Sequence, residues 1–102
     1  MPDMPIQQIA QQVNKTSDFK SVYSNNVNLT ITPFDFVFTF GENQGVQNNI
    51  LIVDVHTKVT MSPQHAKVLS HVLAENVAKW EQTFGPIVTP AQAAEAAMKK
   101  PI

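Results

Sequence analysis

The sequence predicts an α+β domain. It reads as a three-stranded antiparallel sheet, a meander, followed by one long helix packed on it, with short N- and C-terminal segments. Two observations carry this. Between residues 22 and 60 apolar side chains recur at every second position, the period of a strand with one covered face. From Met61 to Gly85 they recur at every third or fourth position, the period of a helix, and this stretch carries its own start and stop signals. Three units follow: an N-terminal arm over residues 1–19, a β-β-β-α core over 20–87, and an alanine-rich helical tail over 88–102.

The arm is polar and rich in Gln. Ile6, Ile9 and Val13 have helical spacing, with Pro5 able to open a short helix and Asn14 to close it; the alternative is a mobile arm. In residues 22–32, Val27, Leu29 and Ile31 alternate with Asn26, Asn28, Thr30 and Thr32. Pro33 ends that strand, since it cannot donate to a ladder. In residues 34–40, Phe34, Phe36, Phe38 and Phe40 share one face, which must be core, because four exposed rings would form a large sticky patch. Gly41, Gly45 and several amides then read as a loop from Gly41 to Asn49. The third strand covers residues 50–60, with Leu51, Val53, Val55, Val59 and Met61 on one face and Ile50, Ile52, Asp54, His56, Lys58 and Thr60 on the other.

The helix is expected over residues 63–84. Ser62 can cap it, because its hydroxyl accepts from a free N–H of the first turn. Pro63 suits the first helical position, where its missing N–H costs nothing. Gly85 can take a left-handed cap, and Pro86 blocks continuation. Ala66, Leu69, Leu73, Val77, Trp80 and Phe84 form one stripe, meant to cover the phenylalanine face of the sheet. Val68 and Val72 lie off that stripe and are candidates for a second contact face. Farther on, Thr89 and Gln92 have capping-box spacing, with Pro90 again first, so a second helix is expected over residues 91–100.

Composition narrows the function classes. With 102 residues the chain supports one domain, and a formal net charge of −1 gives little attraction for a phosphate backbone. There is no cysteine, hence no disulfide and no thiolate metal site. No apolar run reaches the roughly 18 residues of a membrane span, so no membrane association is expected. The opening MPDMPIQQIAQQ has neither a basic start nor an apolar centre, so no secretory signal is expected, and residence is taken as cytoplasmic.

Candidate chemistry is sparse. Gln64 and His65 stand in the first turn of the long helix, where N–H groups favour anions; the structural alternative is a half-buried ring packed on the sheet. Asp54 and His56, two apart on a strand, offer two metal ligands. A structural zinc site needs four ligands and a catalytic one three, and no third follows, so no metal or other cofactor is expected. No nucleophile elbow is present, and the three glycines make no phosphate loop. The expectation is a protein that is not an enzyme.

Several of these residues resemble a family of small prokaryotic proteins catalogued as a domain of unknown function. The matching positions are Tyr23 and Asn25, Phe36 and Phe40, the string Met61-Ser62-Pro63-Gln64-His65-Ala66-Lys67, Glu75 and Asn76, then Trp80, Glu81, Phe84 and Gly85. Trp80 stands where the family commonly has Tyr, which keeps an aromatic anchor. The resemblance implies the β-then-α order over about residues 20–87 and brings no activity with it.

A two-layer unit of this size gains little stability alone, and a three-stranded sheet has two free edges. A homo-oligomer is therefore expected, most simply a twofold dimer, joined through a sheet edge, the reverse sheet face, or Val68 and Val72. The functional expectation is a self-associating structural or adaptor protein, with Asp54, His56, Gln64, His65, Val68 and Val72 as candidate contacts to a further protein partner. The alternative is a nucleic-acid-binding regulator that uses the polar sheet face.

Overall fold

Residues 9–99 are described by the computed structural model of the chain. The elements run β1 (Asn26–Ile31), β2 (Phe36–Gln47), β3 (Ile50–Met61), α1 (Pro63–Phe84) and α2 (Pro90–Lys99). The three strands form one antiparallel sheet in the order β1-β2-β3, the expected meander. Of the short helix considered for the arm, Pro5 and Ile6 lie outside the described residues. From Ile9 to Asn14 the chain has no regular element. Beyond it, the Asp18 carboxylate accepts the Thr16 hydroxyl at 2.6 Å, which holds it below the usual carboxylate value.

The helices start where cap chemistry puts them. Ser62 is extended (φ −68°, ψ 157°), and its Oγ accepts from the His65 N–H at 3.2 Å. Thr89 and Gln92 close a reciprocal capping box: Gln92 N–H donates to Thr89 Oγ1 at 3.2 Å, and Thr89 N–H donates to Gln92 Oε1 at 3.0 Å. Gly85 differs from expectation. Its φ of 104° is positive but its ψ of 171° is extended, a combination essentially confined to glycine and distinct from the left-handed helical cap. Its N–H still reaches the Glu81 carbonyl at 2.9 Å, and the Glu81 side chain accepts from the Ile87 N–H at 2.8 Å.

The strands depart further from the sequence reading. β1 begins at Asn26, because Ser24 and Asn25 are drawn into hydrogen bonds with the Gly41 region. Phe34 is not in β2. The Thr32 hydroxyl accepts from the N–H groups of Phe34 and Asp35, making a tight turn at Pro33 that leaves Phe34 80 % exposed. Gly41 to Gln47, expected as loop, continues β2. The reversal is a two-residue hairpin at Asn48 and Asn49, with φ of 53° and 62°, the signature of a type I′ turn.

Two irregularities break the β2–β3 register. Phe40 pairs with Thr57 but Gly41 with Val55, so His56 is the extra residue. Asn43 pairs with Val53 but Gly45 with Ile52, so Gln44 is extra on the other strand. The first bulge splits the apolar face expected for β3. Val59 and Met61 stay with Phe38 and Phe36, whereas Val55 and Val53 pair with Gly41 and Asn43 and so pass to the reverse face. On the phenylalanine face β1 supplies Val27, Leu29 and Ile31, opposite Phe40, Phe38 and Phe36.

Candidate functional site

The phenylalanine face meets only part of the long helix. A stretch of α1 lines one wall of an open groove with Ala66, Leu69, Ser70 and Leu73, and the sheet forms the other with Leu29, Phe36 and Phe38. The groove encloses about 220 Å³, more than the roughly 150 Å³ of an apolar cavity that accepts benzene. Beside the groove, the Phe40 ring stacks against that of Phe38, ring centres 6.2 Å apart and nearly parallel. Ser70 is the one polar side chain in the lining, and its hydroxyl donates to the Lys67 carbonyl at 2.7 Å.

Expected burial is not reached. Ala66 is the only buried apolar side chain among the described residues, and Phe36, Phe38 and Phe40 are half-buried. Along the helix stripe Leu73 is 60 % exposed, Trp80 48 % and Phe84 69 %. Trp80 and Phe84 touch each other, centroids 5.0 Å apart, and still face outward. The helix therefore does not seal the sheet as the sequence reading supposed. A second apolar strip lies on the reverse face of the outer hairpin, where exposed Val46 pairs with exposed Leu51 and is followed by half-buried Val53 and exposed Val55.

The residues singled out from sequence lie apart from the groove lining. Val68 and Val72 are exposed on another side of α1. Gln64 and His65 are exposed at its first turn, so the half-buried placement weighed for His65 is not what the fold gives. Asp54 and His56 do not form a simple alternating pair, because His56 is the bulged residue and Asp54 stands opposite Glu42. The His56 ring is taken up at both nitrogens. Nε2 lies 2.8 Å from the Tyr23 carbonyl, which can only accept, so Nε2 carries a proton; Nδ1 lies 2.8 Å from Thr57 Oγ1. Among the described residues no group of three metal-ligating side chains converges.

His56 belongs to a polar knot that the sequence did not announce. The Gly41 carbonyl accepts from the Asn25 N–H at 3.1 Å and lies 3.1 Å from Ser24 Oγ. The Asn43 N–H donates to Asn25 Oδ1 at 2.8 Å, and Asn26 Nδ2 donates to Asn43 Oδ1 at 3.0 Å. These bonds lash the chain before β1 to the bulged part of the hairpin. The only signal was the run of short polar residues from Ser24 to Asn26, which suits side-chain-to-backbone bonding.

A family model described as "Protein of unknown function (DUF3467)" matches residues 2–89. The chain belongs to this family. The DUF3467 match takes in the sheet, the long helix and also most of the arm, which the earlier resemblance had left outside. No curated protein and no solved structure matches the chain. Among the described residues no helix is long and apolar enough to cross a membrane. On the polar sheet face, Asn28 and Lys58 flank Thr39, while Thr30 and Thr60 flank Val37. Lys58 is the one basic side chain among those paired positions, so nothing there supports nucleic-acid binding.

Proposed function

We propose that this DUF3467 domain acts by association, as a small self-assembling structural or adaptor module of the cytoplasm, without catalytic chemistry. The observation behind this is the surface that a single chain leaves uncovered. Its accessible area is 9639 Å², whereas a folded monomer of 11.3 kDa is expected to show roughly 5,700 Å². Its radius of gyration is 19.1 Å, against roughly 13 Å for a compact domain of this length. Part of that excess is the apolar side of α1 and of the sheet, and leaving it in water forfeits about 25 cal/mol per Å² of the driving force for folding. A partner that covers it restores that force. The apolar groove lining supports a contact role over a catalytic one, since Ser70 is its only polar side chain and already has a carbonyl partner.

If folding depends on assembly, stability depends on protein concentration. The urea midpoint, followed by far-ultraviolet circular dichroism, should rise as total protein is raised over several decades. A midpoint independent of concentration would contradict self-assembly and direct attention to a different partner protein.

A further inference from the structure

We infer that the partner of the uncovered helix stripe is a second copy of the same chain. In the inferred dimer, α1 of each protomer lies antiparallel to α1 of the other about a twofold axis, and each copy's Trp80–Phe84 end fills its partner's groove. The proposal deepens the self-association reading and rests on it.

Three observations converge on this arrangement. The first is the spacing of the stripe. Ala66, Leu69, Leu73, Val77, Trp80 and Phe84 step almost alike from either end. Lay a second α1 antiparallel, with the axis at the turn carrying Glu75. Ala66 then falls opposite the partner's Phe84, Leu69 opposite its Trp80, and Leu73 opposite its Val77. Glu75 itself is half a helical rotation away from the stripe, so no carboxylates meet at the axis.

The second observation is size. The end of α1 that carries the smallest stripe residue, Ala66, is the end that borders the groove. The other end carries the two largest, Trp80 and Phe84, already in contact and exposed. Antiparallel pairing sets large against small at both ends. Parallel pairing would set the two aromatic ends against each other and leave both grooves open. The groove volume of about 220 Å³ suits an aromatic side chain, and its sheet wall offers Phe36 and Phe38 for ring contacts.

The third observation is area. The excess accessible surface, roughly 3,900 Å² per chain, also counts the arm and α2, and still leaves room for the roughly 1,000–2,500 Å² that each partner contributes to an obligate homodimer. A second copy brings both the aromatic end and the groove, so one twofold contact satisfies both twice.

The chain has no cysteine, so single thiols can be placed freely. Ala66→Cys and Phe84→Cys are made in separate full-length chains, which are mixed, allowed to exchange and mildly oxidised. The mixture should give several-fold more covalent dimer than either variant alone, because in each pure variant the two thiols lie about 27 Å apart along the helices. Leu73→Cys mixed with Val77→Cys repeats the test near the axis, in case Phe84→Cys weakens the fold. Val68→Cys mixed with Phe84→Cys should cross-link poorly. In the unmodified protein, Trp80 emission should shift to the red on dilution. A stable dimer by light scattering, with neither designed pair cross-linking and Trp80 emission unmoved by dilution, would overturn this interface while leaving self-association standing. A monomer at every concentration would overturn both.

Discussion

Gly41 stands where three strands come closest. It pairs with Asn26 on one side and Val55 on the other, it is buried, and a Cβ built on it would fall on the Asp54 carbonyl oxygen and 2.9 Å from the Val55 Cα. Those neighbours are backbone and cannot swing away. Gly41→Ala should therefore lower stability by about 1–3 kcal/mol, the usual range for overpacking, read as a drop in the urea midpoint. An unchanged midpoint would mean that the bulge at His56 absorbs the methyl group. His56 holds the same junction from the other side through its contacts to Tyr23 and Thr57. His56→Ala should cost about 0.5–1.5 kcal/mol, with hydrogen exchange rising first at the β1 amides if the loss is local.

At the scale of elements, the helices were legible and the hairpin was not. The bounds of α1 follow from Ser62, Pro63 and Gly85, and the box at Thr89 and Gln92 opens α2, because capping is decided by residues within one turn. Ser62→Ala should cost about 1 kcal/mol; a loss under a few tenths in the denaturation midpoint would mean that Pro63 alone suffices to start the helix. The outer hairpin misleads because its glycines mark bulges rather than a loop. Gly45 sits in the second irregularity, and the true turn is Asn48-Asn49, a weaker form of the Asn-Gly signal. Each bulge also shifts the alternation by one residue. Val53 and Val55 thereby leave the phenylalanine face, which no fixed two-residue period could foresee. Asn49→Gly should stabilise the hairpin, since φ of 62° is easier for glycine, and raise the thermal midpoint slightly. A fall would show that Asn49 contributes more through its side chain than its backbone conformation costs.

At the scale of the whole molecule, the apolar pattern announces a face that needs covering but not the chain that covers it. The stripe from Ala66 to Phe84 reads as a core stripe, yet within one protomer only Ala66 is buried. Truncating Trp80 is then a test of association more than of the single fold. Trp80→Ala should weaken the inferred dimer by about 2 kcal/mol or more, roughly thirtyfold in Kd, and keep its helical circular dichroism at high concentration. Loss of helix signal with the mass unchanged would place Trp80 within the protomer core instead.

The central claim is that this chain completes its core with a second copy. Native mass by light scattering after size exclusion, at several loading concentrations, tests it most directly. The expected result is a species of twice 11.3 kDa that gives way to smaller mass only on strong dilution. A constant mass of 11.3 kDa at every concentration would contradict it.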